Sequence, residues 1–168
     1  MKILAIQNRM GIGDMVIFLP FVEAISKHYN SPITLLVKEN SKANRYINKN
    51  SKIDEIITLK RDNKNNGHHD GFLGFFRLAQ ELKKLSFDKV FIFNSSLRYR
   101  LVCKIAGIKD IYQYPLFKKK EQHIIRAAQK LLEKIDLQVA SNPQIEINEN
   151  SIQIATQKFK ILNSKMNI

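Results

Sequence analysis

Apolar positions along this chain fall into short blocks that switch repeatedly between two periods. Compact runs rich in β-branched and aromatic residues, KILAIQ (2–7), PITLLVK (32–38), IDEIITLK (53–60), FDKVFIFN (87–94) and IKDIYQY (108–114), each predict a strand. Between them the period lengthens. Met15, Phe18, Leu19, Val22 and Ile25 recur every three or four residues and predict a helix over 14–28, with Pro20 expected to kink it or to leave a short first segment. ENSKANRYINKN (39–50) predicts a second helix, and residues 75–85 a third through Phe75, Ala79, Leu82 and Leu85. SSLRYRLVCKIAG (95–107) predicts a fourth, with serines to cap it and Gly107 to stop it. Residues 123–137 predict a fifth through Ile124, Ala128, Leu131, Leu132 and Ile135, and Asn142-Pro143 ends the regular pattern. Strands separated by crossover helices predict an α/β fold, a Rossmann-like parallel sheet flanked by helices on both faces.

Two polar stretches break the pattern. Residues 60–74, KRDNKNNGHHDGFLG, have no period and predict a long loop, and PLFKKKEQ (115–122) predicts a basic one. The final stretch, PQIEINENSIQIATQKFKILNSKMNI, reads as an extended segment, a capped helix and, at Met166-Asn167-Ile168, the start of another strand. That ending predicts a first domain over 1–148, with 149–168 as a linker helix leading into a further lobe.

A chain of 168 residues, 44% hydrophobic, suits a single domain with a full core. Its formal charge of +13 favours anionic partners, although abundant lysine, asparagine and isoleucine together are also what an A- and T-rich genome produces. Cys103, the only cysteine, excludes an internal disulfide and a cysteine-rich zinc site. The apolar core of MKILAIQNR is too short for a secretory signal, and no segment reaches the ~20 apolar residues of a membrane span. A cytosolic protein able to rest on a membrane surface is expected.

MGIGDMVIFLP (10–20) carries the most chemistry. Ligands of parallel α/β sheets gather at the carboxyl ends of the strands, and Gly11 and Gly13, both free to take positive φ, would let one approach the backbone. The dinucleotide fingerprint needs a third glycine where Val16 stands, and a P-loop needs Gly-Lys-Ser/Thr, which is absent. Glu39 would be the ribose ligand of a dinucleotide site, but without that glycine the reading is weak. Asp14 opposes phosphate at the helix N-terminus and suits two other roles, an N-cap or a general base that takes a proton from a sugar hydroxyl.

Three stretches in order, KILAIQNRMGIGDMVIFLPFVEAISKHY, FDKVFIFNSSLRYRLVCKIAGIKDIYQYP and QHIIRAAQKLL, resemble glycosyltransferase family 9, the ADP-heptose:lipopolysaccharide heptosyltransferases. The resemblance implies the N-terminal, acceptor-binding half of a two-lobed GT-B enzyme. It further implies inverting transfer of heptose from ADP-heptose to the lipopolysaccharide inner core, with Asp14 as general base and no required metal or other cofactor. The donor would bind mainly the other lobe, so the chain alone is expected to be inactive. Its partners would be the lipopolysaccharide acceptor, ADP-heptose and the cytoplasmic face of the inner membrane, with no nucleic acid.

Besides Gly11 and Gly13, acceptor contacts are expected from Arg61, Lys64, Asn94, Arg98 and His123. Asn94 would meet sugar hydroxyls and Arg98 a carboxylate or phosphate. Solvated cations and a turn-forming asparagine fit the same residues. After His123 the family's acidic residue is missing and Arg126 sits one place closer, so nothing is carried over to Arg126. Lys118, Lys119 and Lys120 form either a cleft edge or a wet loop. Phe72 follows the long loop as a candidate for acyl chains or a membrane surface, whereas Phe75 and Phe76 are expected on a buried helix face. His68 and His69 lack a carboxylate or cysteine at metal-ligand spacing, so no metal site is expected there. Two rivals remain: a non-catalytic basic module holding nucleic acid or another polyanion, and a dinucleotide-binding domain.

Overall fold

The computed structural model describes residues 1–9, 11–47, 51–61, 67–116, 123–140 and 152–159. Five parallel strands, β1 (Ile3–Gln7), β2 (Ile33–Lys38), β3 (Ile53–Leu59), β4 (Lys89–Ile92) and β5 (Asp110–Gln113), lie in the order β3-β2-β1-β4-β5. The order reverses between β1 and β4, which pair from Ile3↔Lys89 to Ile6↔Ile92. Crossovers run through α1 (Ile12–Tyr29), α2 (Ala43–Tyr46), α3 (Gly71–Leu85) and α4 (Leu97–Ile105), and α5 (Ile124–Leu132) follows β5. The α/β, Rossmann-like expectation holds.

Strand alternation divides the core in two. Ile3, Ala5, Leu35, Phe91 and Phe93 face α1 and α5, where Met15, Phe18, Val22, Ile25, Ala128 and Leu131 complete one cluster. Leu4, Ile6, Leu36, Val90 and Ile92 face α3 and α4, where Leu78, Ala79, Leu82, Tyr99, Val102 and Cys103 complete the other. Because β1 sends successive side chains to opposite layers, all five of its residues are buried.

Several boundaries differ from expectation. A single helix runs from Ile12 through Pro20 to Tyr29, without a separate first segment, and Pro20 is buried with the core face of α1. Over 39–47, the described part of the helix expected at 39–50, the chain forms a 3-10 turn, Glu39–Ser41, and the one-turn α2, because Lys42 takes a left-handed conformation between them (φ 53). The third helix starts at Gly71 rather than 75, which shortens the loop before it. Its buried positions are Gly74, Leu78, Ala79 and Leu82; Phe75 is partly buried, but Phe76 is 40% exposed, so its expected burial is corrected. Residues 152–159 are helical and exposed, while the remainder of 149–168 and Asn142-Pro143 lie outside the described residues. Among the described residues, no helix is long and apolar enough to cross a membrane.

Candidate active site

Strand order reverses between β1 and β4, and it is in the crevice outside the carboxyl ends of the strands at such a point that a doubly wound sheet binds its ligands. From β1 the chain passes through Gly11, whose φ of 119° and ψ of 151° suit glycine, into α1. Gly11 is the N-cap residue, so the N-cap role considered for Asp14 is corrected: Asp14 stands in the first turn of the helix. Its half-buried carboxylate has no hydrogen bond or ion pair among the described residues. Gly13 lies within the helix without positive φ, and a Cβ built on it would meet nothing within 4 Å. The positive-φ expectation therefore holds for Gly11 and fails for Gly13, whose value is open space beside Asp14. Met10 lies outside the described residues.

Asn94 follows β4 on the other side of the crevice. Its Oδ1 accepts the Ser96 N–H at 2.9 Å, an Asx turn that leads into α4. The Ser96 hydroxyl makes no capping bond. Orienting Asn94 this way leaves Nδ2 buried and, among the described residues, without a partner. The last residue of β1 repeats the arrangement: Gln7, 2% exposed, accepts the Arg9 N–H through Oε1 and leaves Nε2 unpartnered. Gln113, at the end of β5, donates from Nε2 to the Asn94 and Ser96 carbonyls at 3.1 and 2.9 Å, tying the second turn to the sheet. Neither Gln7 nor Gln113 stands out from spacing along the chain; for Gln7 the signal is a carboxamide closing an otherwise apolar parallel strand, whereas Gln113 closes a strand that opens on Asp110. Burial raises the pKa of the Tyr114 phenol, which follows Gln113, and nearby Arg9 partly opposes that rise.

The cations divide differently from expectation. Arg61 donates from Nε to Asp70 Oδ1 at 3.0 Å. Arg98 turns from the crevice toward the loop before α3, donating to the carbonyls of Gly71 and His69 at 2.9 and 2.8 Å and lying over the Phe75 ring. Burial, reinforced by the charge of Arg61, lowers the Arg98 pKa. Lys64 and Lys118 to Lys120 lie outside the described residues. His123 is exposed at the N-cap position of α5 and makes no capping bond. A basic cleft of about 380 Å³ lies at the ends of β2 and β3, where Lys38, Lys42, Arg45 and Lys60 line it together with Glu39.

His68 and His69 gain the carboxylate that linear spacing did not supply. Their Nε2 atoms each meet one oxygen of Glu81 at 3.0 Å, and the three potential ligand atoms lie within 4.8 Å of one another. The Lys60 N–H, however, donates to His69 Nδ1 at 3.0 Å. That bond places the proton of the neutral ring on Nε2, so His69 donates to Glu81 rather than presenting a metal-ligating lone pair. Burial lowers the His69 pKa, outweighing the opposite pull of Glu81. Burial also pushes the Cys103 thiol up to about 12, which makes it a packing residue and not a nucleophile.

No family model matches the sequence, and no curated protein does either. Among solved structures, a glycosyl transferase family 9 protein from Veillonella parvula DSM 2008 is similar at 20% identity and TM-score 0.72, over 96% of this chain and 49% of that one. The E. coli ADP-heptose lps heptosyltransferase II is similar at 18% identity and TM-score 0.63, over 95% and 50%. The E. coli heptosyltransferase WaaC solved with ADP is similar at 13% identity and TM-score 0.56, over 86% and 50%. The chain thus spans about half the length of the solved structures it matches, and its fold is that of one half of a family 9 glycosyltransferase.

Proposed function

We propose that this chain is the acceptor-binding half of a family 9 glycosyltransferase, which transfers heptose from ADP-heptose to the inner core of lipopolysaccharide at the cytoplasmic face of the inner membrane. The carrying observation is the Asp14 carboxylate, set at the point where strand order reverses and without a partner among the described residues. As general base it takes the proton of an acceptor hydroxyl; that oxygen then bonds to the anomeric carbon as the bond to the ADP oxygen breaks, inverting the configuration. The buried amide donors of Asn94 and Gln7 stand beside the crevice, where small shifts would turn them to sugar oxygens. Gly13 supplies clearance. Acidic groups of the acceptor suit Lys64, His123 and the basic cleft, whereas Arg61 is already paired with Asp70.

Donor contacts belong mainly to the other half, so the chain alone should not turn over. The test is Asp14→Asn in the two-lobed enzyme. Loss of about 10²–10⁴-fold in kcat, with an unchanged unfolding midpoint, is expected for a general base; full retention of kcat would return Asp14 to a structural role. The basic cleft also keeps a polyanion-binding module in view, which would bind nucleic acid steeply against salt and be indifferent to Asp14→Asn.

A further inference from the structure

The outer side of α3 and α4 shows large apolar side chains in quantity. Phe72 is 76% exposed, Leu73 69% and Phe76 40%, and Leu97, Leu101 and Ile105 continue the surface on α4 at four-residue steps. Single exposed apolar residues are ordinary, but adjacent ones on two packed helices mark a surface that meets something. Two neighbouring features say what.

The first is rigidity. Phe72 and Phe76 pack edge to face at 4.9 Å, and the turn that carries them is tied down from several directions. Arg98 of α4 holds the Gly71 and His69 carbonyls, His69 bonds both Lys60 and Glu81, and Asp70 bonds Arg61 and the Gly67 N–H. Gly74 lies so close to the His69 backbone that a Cβ would come within 2.2 Å of it. The aromatic pair is therefore presented outward by a fixed scaffold, and Phe72 is not left exposed by a loose end.

The second is charge. The α4 segment, LRYRLVCKI, carries Arg98, Arg100 and Lys104 and no acidic residue. On α3, Arg77 follows Phe76, and Lys83 and Lys84 lie further along. Apolar side chains bordered by long basic ones, on a chain of net charge +13, complement a surface with anionic head groups above hydrocarbon. A protein partner would also need to supply acidic groups around an apolar centre, whereas an anionic bilayer provides both layers at once.

We infer that the exposed face of α3 and α4 is a membrane-docking surface, in which Phe72, Leu73 and Phe76 enter the head-group boundary of an anionic phospholipid bilayer while Arg77, Arg100 and Lys104 contact its phosphates. The inference deepens the acceptor reading above, since a lipid-anchored acceptor would be met at such a surface, but its test does not depend on transfer.

The test is co-sedimentation of the 168-residue chain with phosphatidylcholine vesicles, with and without phosphatidylglycerol and free of any glycolipid. Binding is expected only with the anionic lipid and should weaken as salt rises. The pair Phe72→Ser with Leu73→Ser, and separately Arg100→Gln with Lys104→Gln, should each reduce partitioning about tenfold or more. The altered side chains lie outside the packed core, so circular dichroism and the thermal midpoint should stay as in the parent. Indifference of the parent to phosphatidylglycerol would overturn the inference, as would serine variants that bind like the parent. A change of mass in light scattering with unchanged vesicle binding would also overturn it, assigning the face to a second copy of the chain. Transfer to a detergent-dispersed acceptor reads the catalytic proposal separately.

Discussion

At Gly13 two demands on one residue come apart. A methyl group there meets nothing in the chain, and alanine is the better helix former, so Gly13→Ala should keep or raise stability by up to about 1 kcal/mol in urea unfolding. If an acceptor sugar uses that space, the same change in the proposed two-lobed enzyme should raise KM for acceptor at least about tenfold. An unchanged KM would remove Gly13 from the binding surface. His69 offers a second single-residue prediction. Its folded pKa is depressed below the unfolded value of about 6.5, so its contribution to stability is fully present above that pH and is lost as pH falls toward and through the folded pKa. Protonation also fills Nδ1 and breaks the bond from the Lys60 amide. The urea midpoint should therefore fall on acidification from neutrality, and His69→Gln should show a shallower fall over the same range. Both residues were visible in the sequence. Their surroundings were not, because Glu81 and the Lys60 amide reach His69 only through the packing of α3 against β3 and its loop.

The turn between β3 and α3 is where an element departed most from its pattern. Residues 60–74 lack periodicity and read as one long loop, yet helix begins at Gly71, because the early α3 turns are held by tertiary bonds and not by an apolar stripe. Gly74→Ala should cost on the order of 1–3 kcal/mol, since the new methyl would have to displace the His69 backbone. Arg98→Ala should release the same turn. Amide exchange at His69, whose N–H donates to the Lys60 carbonyl at 2.9 Å, would report either change as faster exchange confined to this region. If exchange there matches the parent, the Arg98 bonds are not what fixes the turn. The contrast with α1 is instructive: its five-residue stripe identified the buried face correctly, because burial against the sheet and helical period coincide there. At 39–50 no stripe existed, and among the described residues of that stretch, 39–47, a 3-10 turn and one turn of helix formed.

For the whole molecule, two apolar layers on either side of one open sheet of five parallel strands predict that the chain unfolds cooperatively, with circular dichroism and tyrosine fluorescence transitions coinciding. Separate transitions would show that one layer is stable without the other. Incubated with ADP-heptose and an acceptor, the same folded chain should give no product; measurable turnover would overturn the half-enzyme reading. The sequence by itself determined the strands, their alternation with helices and the glycine turn that leads from β1 into α1, because periodicity and glycine placement are local properties of neighbouring residues. Strand order lay beyond it, as did the pairing of β1 with β4 that sets Asp14 and Asn94 across one crevice. So did the commitment of Arg61 and Arg98 to the turn before α3, and the exposed face of α3 and α4. These depend on contacts between residues far apart in the chain, whose partners are chosen by how the layers pack and not by spacing along the sequence.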